Sequence, residues 1–386
     1  MNSRCNARWS ANKRRSLMNP DISKLIRTHY LDLAGYVSAG MEVVKRDDLV
    51  FMNANENPYE LPDLESYNRY PQPQPQTLLE AYAHTYGCDT DNIIMTRGAD
   101  EALVILTKLF CEPHKDKVLI NPPTFGMYKV DAQSMPAGVV SVPLLKDGGT
   151  FVLDKDQIIK QATNESQNIK LVYICSPNNP TGNSFDHKAI IEIVKALCGY
   201  AMVVLDETYA EFTAQGSLVP GLQDHPNLII LRTLSKSYSF AGMRMGCFLS
   251  GDEDFIKLVR AKALDAYPLP CESVKAALHV LSPEIKEKAQ ENIRKLIEDR
   301  KKLEKELRKS SEVIHIYPSD ANFLLVRMKN ASGFHGFAKE KGIILRDFSK
   351  NPETKDCLRI SVGTPEQNDR LMEILSIYEK EKGTAG

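Results

Sequence analysis

The middle of the chain alternates short, continuous apolar runs with amphipathic segments. The apolar runs predict buried strands at 92–96, 117–120, 170–175, 201–205, 227–231 and 245–249. The amphipathic segments between these runs predict helices over 78–86, from Gly98 to Phe110, and from the N-cap Asp186 to near Gly199. Because the strands are apolar throughout, we predict a mainly parallel sheet covered by helices on both faces.

A different pattern follows residue 282. Ser282 and Pro283 predict the start of a long helix, with serine as N-cap and proline in the first turn. Its apolar stripe is Ile285, Ala289, Ile293, Leu296, Ile297, Leu303 and Leu307. A coiled coil is an alternative, but the charged span covers only about three heptads. We therefore interpret this helix as the link to a small α+β domain with strands at 313–316, 323–326 and 358–362 and a last helix.

The chain length of 386 residues favours one large domain and a smaller one. The predicted fold class is α/β, divided into an N-terminal tail and arm (1–45), a large domain (46–282) and a small domain (283–386). Residues 1–17 are rich in Arg, Asn and Ser and contain no acidic residue. This segment is interpreted as a tail, or as the product of an upstream start codon before Met18, with a transit peptide as the alternative. Alternating prolines predict an extended loop over 70–75.

Composition and charge exclude several classes of protein. The chain is 42% hydrophobic and 26% charged, with a formal charge of −1, so nothing predicts binding to nucleic acid or to an anionic membrane. No apolar run reaches the ~20 residues of a membrane helix. Eight cysteines without a Cys-x-x-Cys pair predict reduced thiols in a cytoplasmic protein, and eight histidines show no metal-ligand spacing. The lack of a Gly-x-Gly-x-x-Gly segment after a strand argues against a nicotinamide dehydrogenase.

Three polar segments follow apolar runs, where buried strands should end. They are Ser176-Pro-Asn-Asn-Pro-Thr-Gly182, Asp206-Glu-Thr-Tyr209 and Ser235-Lys-Ser-Tyr-Ser-Phe-Ala-Gly-Met-Arg244. Ligands of parallel sheets bind beyond the carboxyl ends of the strands. Together the segments supply an amide, a carboxylate, a phenol, an amine and a guanidinium. Pyridoxal phosphate, with its ring nitrogen, phenolic oxygen, aldehyde and phosphate, is a cofactor that needs such partners.

Each of these groups corresponds to one part of that cofactor. Lys236 can form a Schiff base with the aldehyde and later carry a proton. Asp206 follows four apolar residues, where an unpaired carboxylate is costly, and would keep the ring nitrogen protonated. Tyr209 and Asn179 would bond the phenolic oxygen. Phe125 would stack on the ring, with an ordinary core aromatic as the alternative.

The cofactor phosphate needs donors as well. Ser235 and Arg244 offer a hydroxyl and a guanidinium fork. The helix that begins at Gly98, Ala99 and Asp100 offers free backbone N–H groups and the positive end of its dipole. Gly98 permits close backbone approach.

The order and spacing of these segments resemble the fold-type I pyridoxal-phosphate aminotransferases, with Lys236 and Arg244 matching the family's segment from lysine to phosphate-binding arginine. Further segments narrow the resemblance to the histidinol-phosphate aminotransferase family. These are Asn53-Ala-Asn-Glu-Asn-Pro58, Tyr70-Pro71 with Gln74-Pro75, Thr96-Arg-Gly-Ala-Asp-Glu101 and Gly342-Ile-Ile-Leu-Arg-Asp347. The resemblance extends from about residue 36 to residue 362.

The resemblance implies roles for five further residues. Arg359 would clamp the α-carboxylate of the amino acid. Arg346, with Tyr36 and Tyr267 as further candidates, would recognise the phosphate of the substrate; a surface salt bridge is the alternative for Arg346. Tyr70 would reach the cofactor phosphate of the other subunit, which implies a homodimer.

The reaction implied, a step of histidine biosynthesis, is the reversible exchange of histidinol phosphate and 2-oxoglutarate for imidazole-acetol phosphate and glutamate. Its partners are small molecules: an amino acid phosphate and the glutamate/2-oxoglutarate pair. A phosphothreonine decarboxylase-like enzyme and an aromatic-amino-acid aminotransferase of the same fold remain alternatives. A non-catalytic cofactor-binding regulator would usually carry a DNA-binding helix-turn-helix, for which residues 1–17 are too short.

Overall fold

The computed structural model describes residues 19–35, 50, 52–64 and 67–384. The predictions for residues 1–17 and for Tyr36 lie outside the described residues. The division into domains stays a prediction, and the elements are therefore given below by the sheet to which they belong.

Seven strands in the described part of the chain form one large sheet. They are β1 Ile93–Thr96, β2 Lys117–Ile120, β3 Gly138–Ser141, β6 Ile169–Cys175, β7 Met202–Asp206, β8 Leu228–Thr233 and β9 Gly246–Ser250; a separate hairpin holds β4 Leu145–Asp147 and β5 Thr150–Val152. The order across the large sheet is β1-β9-β8-β7-β6-β2-β3. All neighbours pair in parallel except β9, which runs antiparallel to both β1 and β8. The mainly parallel sheet predicted from the sequence is therefore confirmed.

Helices cover both faces of this sheet, as predicted. One apolar cluster includes Leu103, Ala132 and Phe255, and the other includes Leu78, Ile158 and Ile190. The helices are α1 Pro20–Ser23, α2 Thr28–Asp32, α3 Gln76–Tyr86, α4 Gly98–Phe110, α5 Met127–Ser134, α6 Lys155–Ala162, α7 His187–Ala196, α8 Glu253–Lys262 and α9 Cys271–Val280. None of the helices in the described part of the chain has the length and apolar character that a bilayer crossing requires.

A four-stranded sheet follows the long helix. The elements of this region are α10 Pro283–Leu307, β10 Val313–Ile316, β11 Phe323–Met328, α11 Ala331–Glu340, β12 Arg346–Asp347, β13 Cys357–Ser361 and α12 Pro365–Thr384. The sheet is antiparallel, in the order β10-β11-β13-β12. Its own apolar cluster includes Leu307, Leu324 and Phe334.

The start of the long helix α10 is confirmed. Ser282 occupies the N-cap position and Pro283 lies in the first turn, although the Ser282 side chain makes no capping hydrogen bond. The helix packs against α9, α12 and β11 of its own chain, and the stripe residues Ala289 and Ile293 are buried. A coiled coil is therefore not needed to explain that stripe.

Candidate active site

The predicted polar residues converge because their strands end at one edge of the large sheet. β6 ends at Cys175, shortly before Asn179. β7 ends at Asp206 itself, and β8 ends at Thr233, just before Ser235 and Lys236. Since β6, β7 and β8 are parallel neighbours, these ends lie side by side.

Arg244 reaches the same edge from the opposite direction. It precedes Met245 and the first residue of β9, Gly246, and β9 is antiparallel to β8. The start of β9 therefore lies beside the end of β8. The carboxyl end of β1 lies there too, because Thr96 pairs with Gly246, and it leads into the N-terminus of α4.

These residues line one cavity of about 640 Å³. The large sheet and the four-stranded sheet both contribute to its wall. The predicted residues that line it are Ala99, Asp100, Phe125, Asn179, Asp206, Tyr209, Ser235, Lys236, Arg244, Arg346 and Arg359.

Tyr70 and Tyr267 do not line this cavity in the part of the chain that the structure describes. Their rings stack on each other, with centroids 4.2 Å apart and an angle of 14° between the planes. Tyr70 is 56% exposed. Within one subunit, Tyr267 therefore contacts Tyr70 rather than the cavity that Arg346 lines, and its substrate role stays a prediction.

Asp206 is buried at the end of β7 and accepts two hydrogen bonds. The hydroxyl of Tyr128 donates to Oδ2 at 2.6 Å, and the backbone N–H of Thr208 donates to Oδ1 at 3.0 Å. Burial raises the pKa of the Asp206 carboxyl, and both hydrogen bonds act against that rise because they favour the ionised form. Each oxygen of the carboxylate is thus held by a separate donor.

Lys236 lies in the same cavity, with Nζ 5.9 Å from the ring centre of Tyr209. Burial lowers the pKa of the Lys236 amine, and the nearby positive charge of Arg359 lowers it further. Burial raises the pKa of the Tyr209 phenol. Both shifts act in favour of the uncharged form of the group concerned.

The end of the cavity near α4 is suited to a phosphate. Gly98 has φ +78°, and an added Cβ would lie only 2.9 Å from Nη2 of Arg244. Arg244 donates to Asp100 at 3.1 Å, and Thr233 donates to the Ser235 hydroxyl at 3.0 Å. The first N–H groups of a helix have no acceptor within it. Around Gly98, which has no side chain, the cavity therefore offers a hydroxyl, a guanidinium and free helix N–H groups. This set of donors fits the phosphate of pyridoxal phosphate.

The four-stranded sheet contributes two arginines on adjacent strands to the cavity wall. Arg346 on β12 pairs directly with Arg359 on β13. Both guanidiniums lie near the ring of Phe348, at 6.0 Å and 5.7 Å from its centroid. Arg359 also donates a hydrogen bond to Oδ1 of Asn179, which connects the four-stranded sheet to the loop after β6.

Sequence reasoning missed the residues that support the site from behind. Tyr128 follows Phe125 by three positions, and its hydroxyl contacts Asp206. Glu207, next to Asp206, is buried and forms an ion pair with Arg232 at 2.9 Å. A second acidic residue directly after Asp206 was the one available signal for this ion pair between β8 and the end of β7.

The fold and this set of residues define a pyridoxal-phosphate-dependent aminotransferase of fold type I. The sequence profile of the family "Aminotransferase class I and II" matches residues 47–375. A histidinol-phosphate aminotransferase of Xylella fastidiosa is 37% identical over 358 residues, which cover 92% of this chain and 96% of the relative. Histidinol-phosphate aminotransferase 1 of Haemophilus influenzae is also 37% identical, over 92% of this chain and 94% of its own length.

A solved structure agrees with the fold. The histidinol-phosphate aminotransferase of Sinorhizobium meliloti, in complex with pyridoxal-5'-phosphate, aligns with a TM-score of 0.70 and 23% identity over 80% of this chain and 84% of that one. The chain belongs to the class I and II aminotransferases, among the histidinol-phosphate aminotransferases.

Proposed function

We propose that this enzyme transfers the amino group of histidinol phosphate to 2-oxoglutarate, reversibly, giving imidazole-acetol phosphate and glutamate. The observation that carries the proposal is the pair of adjacent arginines, Arg346 and Arg359, which line the same cavity as Lys236. The two relatives of that name, at 37% identity, support it.

Pyridoxal phosphate supplies an aldehyde and a ring that withdraws electrons from the substrate's Cα. We assign its phosphate to the cradle around Gly98, its ring nitrogen to Asp206 and its phenolic oxygen to Tyr209 and Asn179. The donors assigned to the phosphate are the backbone N–H groups of Ala99 and Asp100, the hydroxyl of Ser235 and the guanidinium of Arg244. Phe125 is assigned to the face of the ring.

Lys236 is assigned the proton transfer. Its lowered pKa leaves more of the amine neutral at a given pH, and only the neutral amine can accept a proton. Nζ takes the proton from the substrate's Cα and later returns one. The burial that lowers this pKa also limits exchange of that proton with water.

The two arginines are assigned to the anion of the substrate. Histidinol phosphate has no carboxylate; its phosphate occupies the corresponding end of the molecule. Two adjacent guanidinium forks suit one dianionic phosphate, because each can donate two hydrogen bonds to it. In the other half-reaction, Arg359 binds the α-carboxylate of glutamate.

We further propose a homodimer in which Tyr70 serves the partner's active site. Tyr70 is largely exposed and lies outside its own subunit's cavity, which is consistent with such a role. Localisation in the cytoplasm stays a prediction from the cysteine pattern.

A screen of amino donors tests the reaction. Each donor is mixed with the yellow holoenzyme in single turnover, and absorbance and carbon dioxide are monitored together. Histidinol phosphate should convert the cofactor to its amine form fastest and without carbon dioxide. Rapid carbon dioxide release from phosphothreonine would instead identify a decarboxylase, and a preference for phenylalanine or tyrosine would identify an aromatic-amino-acid aminotransferase.

A further inference from the structure

Tyr128 is buried directly behind the carboxylate that faces the cavity. Its hydroxyl donates to Oδ2 of Asp206 at 2.6 Å, and the side chain is 1% exposed. Its ring stacks on Tyr173, with centroids 4.8 Å apart and an angle of 3° between the planes, and meets Phe125 edge to face at 5.6 Å. Three contacts therefore fix where this hydroxyl points.

We propose that Tyr128 is a positioning residue for the cofactor, because its hydroxyl holds Asp206 ionised and aimed at the ring nitrogen. The inference rests on the proposed function. A hydrogen bond to an ionised acceptor is among the stronger ones in proteins. The other oxygen of Asp206 is held by the N–H of Thr208, so the hydroxyl of Tyr128 is the side-chain donor that fixes Oδ2.

The surroundings of Asp206 make this donor important. Burial favours the protonated carboxyl, which could not form an ion pair with a protonated ring nitrogen. The titratable groups around Asp206, from the elements packed against it, are Asp100, Tyr128, Cys175, Tyr209 and Lys236.

The chain offers a matched control for this hydroxyl. Tyr173 stacks on Tyr128, is equally buried, and shares its hydroxyl with Thr107 at 3.2 Å rather than with Asp206. Tyr128→Phe and Tyr173→Phe each remove one buried hydroxyl from the same stack. Only the first removes a hydrogen bond from Asp206.

The test measures the dissociation constant of pyridoxal phosphate by equilibrium dialysis between about pH 5 and pH 9, with thermal unfolding of the cofactor-free proteins as the measure of packing. Tyr128→Phe should weaken binding about tenfold. Losing the hydrogen bond raises the pKa of Asp206, so the loss of cofactor affinity on acidification should begin at a higher pH. Tyr173→Phe should leave both quantities unchanged.

A double-mutant cycle separates orientation from packing. In an Asp206→Asn background, Tyr128→Phe should have a much smaller effect on cofactor binding. Equal losses in Tyr128→Phe and Tyr173→Phe, or none in Tyr128→Phe, would overturn the inference while leaving the proposed function intact. A wild-type protein that binds no pyridoxal phosphate would overturn both.

Discussion

Arg346 and Arg359 lie directly opposite each other across an antiparallel strand pair. Like charges in that position are destabilising. Neither guanidinium forms an ion pair with a carboxylate within the part of the chain that the structure describes. A dianionic ligand that neutralises both would explain the arrangement.

Arg346→Ala should therefore slow the half-reaction with histidinol phosphate more than the half-reactions with other amino donors. We expect the second-order rate constant of the half-reaction to fall about a hundredfold for histidinol phosphate and less than about tenfold for histidine, which keeps the imidazole but carries a monoanionic carboxylate. Arg346→Lys should recover part of the loss. Equal losses for the two donors would show that Arg346 does not recognise the phosphate.

Gly98→Ala should impair cofactor binding, because the new Cβ would approach Arg244 to 2.9 Å. Gly87→Ala is the matched control: Gly87 has φ +73°, but nothing lies within 4 Å of its added Cβ. In both variants the free energy of unfolding should fall by about 1 kcal/mol, because alanine is strained in the left-handed backbone conformation. Only Gly98→Ala should weaken the binding of pyridoxal phosphate, measured by equilibrium dialysis. Equal affinities in the two variants would show that Gly98 is not part of a phosphate-binding site.

The pH dependence of Lys236 follows from its surroundings. Its pKa is lowered, so the reactive neutral amine persists to a lower pH than for an ordinary lysine. Arg359→Gln removes a positive charge and should raise the pKa of Lys236. The pH below which the amine stops reacting should then rise. Arg359→Lys keeps the charge and should leave that pH unchanged. The measurement is acetylation of Lys236 in cofactor-free protein by peptide mass spectrometry, normalised to the exposed Lys288. An unchanged pH dependence of Lys236 acetylation in Arg359→Gln would show that the charge of Arg359 does not lower the pKa of Lys236.

A shared active site predicts complementation between two defective proteins. In a mixed dimer of Tyr70→Ala and Lys236→Ala, one site has both groups intact, so random mixing should restore up to about a quarter of wild-type activity. Mixing Lys236→Ala with Asp206→Asn is the control, because both defects stay within their own subunit's site. Recovery no greater than in the control would show that Tyr70 does not act across the interface.

Much of the site could be predicted because it follows strand ends. Asn179, Asp206 and Lys236 are far apart in sequence, but parallel strands bring their carboxyl ends to one edge whatever the chain between them. Tyr128 could not be found this way. It lies on a helix among core residues, and its partner Asp206 is 78 positions away.

The same limit applies to the four-stranded sheet. β12 is only two residues long, so no periodicity reveals it, although it sets Arg346 beside Arg359. The stacking of Tyr70 on Tyr267 is also a contact between distant segments. Local sequence carries no signal for side-chain contacts of this kind.

The proposed chemistry depends above all on Lys236 carrying the cofactor. Borohydride reduction of the yellow holoenzyme, followed by peptide mass spectrometry, should find the pyridoxyl group on Lys236. Lys236→Ala should retain none and should lose transamination by several orders of magnitude. A pyridoxyl group on any other lysine, or a colourless protein that takes up no pyridoxal phosphate, would contradict this assignment.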